Sequence, residues 1–204
     1  MMIDQQTRKL LLETIARQVI AHAEELTDLD RAIGDGDHGI NMRRGFEAVL
    51  AAADELSAKE LGESLKALGT TLVMKVGGAS GPLYGTLFMS LGKSLRDDVS
   101  REQAAAAFEA AIEDVKKRGK SEVGQKTMLD VFCPVLAALR EPGPNLGARL
   151  KAAANAAAED TIPMRAIRGR ASFLGDRSIG HMDPGARSSA LIVDAVVNVM
   201  EGLA

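Results

Sequence analysis

An all-α fold is predicted for this chain by three observations. Aromatic residues make up only 3 % of it while aliphatic residues and alanine dominate a 46 % hydrophobic content, a composition that suits close-packed helices better than a sheet. Apolar residues recur every three or four positions through most of the chain. Glycine and proline breaks, among them Gly77-Gly78 and Pro142-Gly143-Pro144, separate those periodic stretches.

Each helix has its own warrant. Leu11, Ile15, Val19 and Ala23 share one face, predicting a first helix over about 4–25. A second is expected over about 40–54, after a loop rich in aspartate. A third, over about 58–76, carries Leu61, Leu65, Leu68, Leu72 and Val76, with Ser57 and Glu60 as its capping box and Gly77-Gly78 as its stop. Pro82 suits the first turn of a fourth, to about 96. Ser100 caps a fifth, whose face is Ala104, Phe108, Ile112 and Val115 and which Gly119 closes. A sixth spans about 127–140, a seventh the alanine-rich stretch at about 146–160, and an eighth about 185–202, with Ile192, Val196, Val199 and Leu203 as its stripe.

Short connections favour antiparallel neighbours, so the expected architecture is eight antiparallel helices in an up-and-down closed bundle or barrel, with residues 1–204 forming one domain. Alternation brings the connections after helices one, three, five and seven to the same end. Those are the aspartate loop, residues 76–82, the Gly119-Lys120 turn and the long stretch from about 164 to 184. That end is the candidate site.

Bulk properties exclude several classes. A net charge of -3 offers no general attraction for nucleic acid. Cys133, the single cysteine, cannot form an internal disulfide and lies in an apolar run, so a buried structural thiol in a reducing cytoplasm is expected. No apolar stretch is long enough to cross a membrane, and the start, Met-Met-Ile-Asp-Gln-Gln, lacks the layout of a signal peptide. A cytoplasmic protein is expected.

The chemistry concentrates in three stretches. Asp30, Asp35 and Asp37 repel one another unless a divalent cation neutralises them, and hard oxygen donors suit Mg2+ or Ca2+. The alternative is an acidic turn in which Asp37 only caps the second helix. An EF-hand fails on register, since its sixth and twelfth positions would be Ile40 and Phe46. His38 suits contact with a phosphate or the turn, and Asn41 faces the same site one turn on. Next, Gly77-Gly78-Ala79-Ser80-Gly81-Pro82 opens a helix and so resembles an anion cradle. The two Gly-Lys-Ser triplets are not P-loops, because the required earlier glycine is Leu87 in one and Asp114 in the other. Finally, residues 165–187 hold five arginines and two aspartates among four glycines, a composition that fits an ordered loop bearing on phosphate or a merely exposed basic one. Met128 is by default a core residue, with base stacking open to it if a nucleotide lies at this end.

Taken together, Gly34-Asp35-Gly36-Asp37-His38-Gly39, residues 77–85, Gly124-Gln-Lys-Thr127-Met128-Leu-Asp130, Gly169-Arg170-Ala-Ser172 and Gly180-His181-Met-Asp183-Pro184-Gly185-Ala186 resemble the DhaL subunit of dihydroxyacetone kinases. The resemblance covers nearly the whole chain. It implies an eight-helix barrel holding ADP or ATP at one end through two Mg2+ ions. Asp30, Asp35 and Asp37 match the family's metal ligands, and His38, Gly39, Ile40, Asn41, Ala79, Ser80, Gly119, Met128, Arg170, Asp183, Pro184 and Gly185 match its nucleotide-contacting positions.

The reaction implied is phosphoryl transfer to dihydroxyacetone or a similar small ketose held covalently, through a histidine, on a separate DhaK-like subunit. No catalytic base is therefore assigned within this chain. In one branch of the family ADP is a bound coenzyme rephosphorylated by a DhaM-like phosphotransferase-system protein; in the other, ATP exchanges as a substrate. His38-Gly39-Ile40-Asn41-Met42 looks more like the first branch. Two rivals stand beside this expectation: an all-α Mg2+-dependent nucleotide pyrophosphohydrolase, whose carboxylates generally come in helical Glu-x-x-Glu pairs, and a non-enzymatic nucleotide-sensing or regulator-binding subunit.

Overall fold

The computed structural model describes residues 1–202, so Leu203 of the expected terminal stripe lies outside the described residues. Among the described residues ten α-helices and one 3-10 segment follow one another: α1 (Gln5–Ala21), α2 (Ala23–Ile33), α3 (His38–Ala51), α4 (Ala53–Ser57), α5 (Leu61–Lys75), α6 (Ser80–Ser94), α7 (Arg101–Gly119), α8 (Leu129–Arg140), α9 (Leu146–Asp160), the 3-10 segment Arg170–Ser178, and α10 (Pro184–Glu201). Among the described residues β-type pairing is limited to an isolated bridge between Met2 and Asp98.

Eight of these helices make the expected closed ring. Neighbours run α1, α3, α5, α6, α7, α8, α9 and α10, and α10 packs back on α1. Successive members alternate in direction, because α2, α5, α7 and α9 finish at the end of the ring where α3, α6, α8 and α10 begin. Leu26, Met42, Phe46, Leu72, Tyr84, Leu129, Phe132 and Leu191 fill the interior. A smaller cluster between α8, α9 and α10 is built largely from alanines, including Ala154, Ala158 and Ala190.

Two contacts set the geometry of the ring. The α5 and α6 helices meet backbone to backbone: a Cβ on Gly69 would lie 2.6 Å from the Gly85 carbonyl oxygen, and one on Gly62 would lie 2.9 Å from that of Gly92. Those glycines are present for close approach, since no side chain fits between the two helices. At the end away from the candidate site, buried Arg8 donates to Asp97 at 2.9 Å, to the Ile3 carbonyl at 2.6 Å and to the Ser57 carbonyl at 3.0 Å. Asp97 in turn accepts from the first amide of α5, Leu61, at 2.8 Å.

Several expected boundaries move. The first helix breaks at His22, whose φ of -101° and ψ of 12° leave the helical region, and a separate α2 then runs on to Ile33. Asp30 is therefore a helical residue. The second expected helix starts at His38 and is followed by the short α4. No capping box joins Ser57 to Glu60: Ser57 closes α4, with its hydroxyl donating to the Asp54 carbonyl at 3.1 Å, and Asp97 takes the capping role. The fifth expected helix keeps its capping box at Ser100, with Gln103 as the reciprocal partner. Gly119 is that helix's last residue, and the left-handed turn beyond it falls on Lys120, at φ 49°.

Candidate functional site

The aspartate cluster is assembled by Asp30. Held in the last turn of α2 and only 8 % exposed, its carboxylate accepts from the amides of Asp37 at 2.8 Å and His38 at 3.1 Å. A carboxylate receiving two amides at the start of α3 satisfies donors that the helix cannot. Asp37 occupies the N-cap position with no side-chain bond of its own, so its carboxylate is not spent on capping. The chain turns between them at Gly34, where a Cβ would collide with Asp30, and at Gly36, whose φ of 74° is left-handed. As a result Asp30, Asp35 and Asp37 each bring a carboxylate oxygen to within 4.8 Å of the others. Three hard oxygen donors that close fit a small divalent cation such as Mg2+.

Arg170 reaches this cluster from the 3-10 segment. Its Nε lies 3.0 Å from Asp35 Oδ2, with both side chains largely open to solvent. Such an exposed pair is worth no more than about 1 kcal/mol and exchanges partners readily. A cation at the aspartates would free this arginine for another anion.

Beside the aspartates a buried polar chain crosses the ring. His38 Nδ1 lies 3.0 Å from Ser80 Oγ at the start of α6, and Nε2 lies 3.0 Å from Ser188 Oγ in α10. Tyr84 continues the chain at 2.7 Å to Ser188 and 2.9 Å to Ser189, and also donates to the Gly185 carbonyl at 3.1 Å. Burial pushes His38 down to about 4, although Asp30 and the Pro184 carbonyl pull the other way, so the imidazole is neutral at pH 7. Burial likewise pushes the Tyr84 phenol up. Both rings hold and orient hydroxyls and carry no charge.

The remaining expected positions fall around the same end. Gly39 and Asn41 are buried at the start of α3 and Ile40 is exposed. The Asn41 carboxamide accepts from Arg44 at 3.0 Å and closely approaches Gly77 of the glycine turn. Ala79 is exposed at the N-cap of α6, followed by Ser80. A Cβ on Gly119 would lie 3.2 Å from Leu83 of α6, so the α7 turn borders the same opening. Met128, 4 % exposed, packs its side chain into the core. Its amide nitrogen lies 3.7 Å from where a Gly185 Cβ would stand. Asp183 caps α10 by accepting from Ala186 at 2.7 Å, and burial raises its carboxyl to about 7. Cys133 is half-buried, with its thiol raised by burial, which disfavours the reactive thiolate. Sequence alone did not single out Lys126, Tyr84 or Ser188. The motif from Gly124 to Asp130 was a signal for the first, and the tyrosine inside the glycine-rich run at 77–85 a signal for the second.

A protein-family model described as the DAK2 domain matches residues 32–198 of this sequence. The chain belongs to the DAK2 domain family. This DAK2 domain is 44 % identical over 187 residues to the PEP-dependent dihydroxyacetone kinase 1, ADP-binding subunit DhaL, of Listeria innocua serovar 6a, covering 91 % of this chain and 92 % of that one. It is 47 % identical over 174 residues to the PEP-dependent dihydroxyacetone kinase, ADP-binding subunit DhaL, of Escherichia coli (strain K12), covering 81 % of this chain and 83 % of that one. Among solved structures, the dihydroxyacetone kinase from C. freundii in complex with AMP-PNP and Mg2+ superposes with a TM-score of 0.77 over 95 % of this chain and 34 % of its own, at 24 % identity. That likeness supports the barrel fold alone, and the DAK2 domain spans about a third of the crystallised kinase.

Proposed function

We propose that this chain, as one unit over residues 1–204, is the nucleotide-holding subunit of a dihydroxyacetone or related small-ketose kinase. The observation that carries this is the cluster of Asp30, Asp35 and Asp37 facing Arg170, at the end of the barrel where the glycine turn opens α6. Those carboxylates would hold two Mg2+ ions, which offset phosphate charge when bound. The glycine turn and the first amides of α6 point N–H groups and a helix N-terminus at the same opening. Arg170 supplies a planar donor for phosphate oxygens. His38 acts through Ser80, whose hydroxyl it orients, and Asn41, Gly119 and residues 183–185 frame the nucleotide. Positioning and charge stabilisation are the main contributions in phosphoryl transfer, and no general base is assigned within this chain.

The acceptor sugar belongs on a separate DhaK-like subunit, and a DhaM-like phosphotransferase-system protein is the donor that rephosphorylates bound ADP. A cytoplasmic location follows from those partners. Exposed apolar side chains gather at the site end, among them Ile40, Met74, Val123, Ile167 and Phe173, the last 89 % exposed. A collar of this kind supports docking of a protein partner over the opening. The relatives named for PEP dependence support ADP as a coenzyme over exchangeable ATP.

The test is to denature the purified protein and identify what is released. ADP retained through desalting supports the coenzyme role, and an empty protein that exchanges ATP freely overturns it. In parallel, Asp35→Ala is expected to abolish Mg2+-dependent nucleotide binding with helical content unchanged by circular dichroism. Unaltered affinity would refute the metal assignment.

A further inference from the structure

Lys126 is 1 % exposed, and its ammonium is surrounded by main-chain oxygens. Nζ lies 2.9 Å from the Thr161 carbonyl, 3.0 Å from Met164, 2.8 Å from Ser178 and 2.5 Å from His181. An ammonium has three N–H groups, so four carbonyls at those distances form a cage that binds the charge as a whole. Carbonyl rings replace the hydration shell of a monovalent cation in the same way elsewhere.

Placing a lysine here is costly on two counts. Its charge is buried and bonded to uncharged carbonyls, with Asp183 as the charged group that bears on it, and its backbone sits at φ 62°, a left-handed conformation that non-glycine residues rarely adopt. What offsets those costs is the position of the four oxygens. Thr161 and Met164 lie where the chain leaves α9, and Ser178 and His181 lie where it returns towards α10. The ammonium therefore joins both sides of the base of the 164–184 arm. Thr161 is also the C-cap of α9, where carbonyls concentrate negative potential. Direct bonds knit the same base, from Gly180 to the Ile162 carbonyl at 2.8 Å and from Asp183 to Thr161 Oγ at 3.0 Å. Without the cation, four converging carbonyl dipoles would repel one another at that base.

We propose that Lys126 is a positioning residue: a tethered monovalent cation that clamps the base of the 164–184 arm and thereby holds Arg170 over the aspartates and residues 183–185 against Met128. The second half of this inference rests on the nucleotide site proposed above. The first half is a property of the unliganded chain.

The two halves are tested separately. Hydrogen exchange is measured on the nucleotide-free wild type, Lys126→Met and Lys126→Ala. Both variants are expected to lose protection in residues 161–184 and to keep it in α5, α6 and α7. Lys126→Ala is expected to regain protection in ammonium chloride and not in tetramethylammonium chloride of equal ionic strength. Wild-type-like exchange of the arm in the variants, or equal response to the two salts, overturns the clamp. ADP affinity in Mg2+ is expected to fall at least about tenfold in Lys126→Met, as it must if the arm is correctly placed a tenth of the time. A loosened arm with unchanged affinity overturns the positioning role. If the wild type binds no ADP, the nucleotide assignment fails while the exchange data still decide the clamp. Should neither variant fold in sodium buffer, refolding yield in ammonium against sodium is read instead; dependence on ammonium supports the cage and its absence overturns it.

Discussion

Acidification is expected to expose the cost of burying His38. Its folded value of about 4 lies below the unfolded 6.5, so the unfolded chain takes up a proton first. The stability that the neutral, buried ring contributes is fully present above pH 6.5 and is lost as pH falls towards 4. At about 1.4 kcal/mol per pH unit, the gap is worth about 3 kcal/mol once both values are passed, and about 2 kcal/mol by about pH 5. Asp183 acts in the opposite sense. Its folded carboxyl, raised to about 7, favours the native state at low pH and loses that advantage as pH rises through 7. The raw curve of the wild type is therefore flatter than His38 alone would make it. The quantity to read is the difference between wild type and His38→Gln, in which the contribution of Asp183 cancels. Urea unfolding of both proteins with a chelator present, followed by far-ultraviolet circular dichroism from about pH 8 to about pH 5, should show the wild type losing about 2 kcal/mol relative to the variant. Parallel curves would mean that the imidazole is not held neutral between Ser80 and Ser188.

The other expectations concern packing and capping. Gly39→Ala places a methyl against the Ala23 carbonyl and Thr27 of α2, well inside ordinary contact, and should cost about 3 kcal/mol in a urea titration; a loss within error would show that α2 can move away from α3. Ser100→Ala removes the capping box of α7 and should lower stability by about 1 kcal/mol, read as a lower melting temperature with nucleotide binding intact. A variant melting with the wild type would place that helix start outside the cooperative unit.

The ring was legible in the sequence because its signals are local. Period, glycine stops and the Ser100 cap each report on a few neighbouring residues, and all eight ring helices follow from them. The join at His22 was not legible, because the apolar face of α1 continues through Ala23 and Leu26 without a break in period. Nor was the cap of α5, since Asp97 comes from far along the chain while Ser57 and Glu60 imitate a capping box. At the site, the residue types of Asp30, Asp35 and Asp37 pointed to a metal unaided. Their division of labour did not, because it depends on Asp30 reaching back over a turn to two amides. The motif from Gly124 to Asp130 contained Lys126 but not its role, for a related reason: main-chain oxygens from four separate positions leave no trace in side-chain spacing.

The backbone contact between α5 and α6 makes the two sides of the opening unequal in stiffness. The glycine turn at 76–80 joins two helices packed backbone to backbone at Gly62, Gly69, Gly85 and Gly92. The opposite side is an arm fastened at its base, with an exposed ion pair at Arg170. A bound anion would leave by way of the arm, and its residence time would track arm opening while the glycine turn stayed in place.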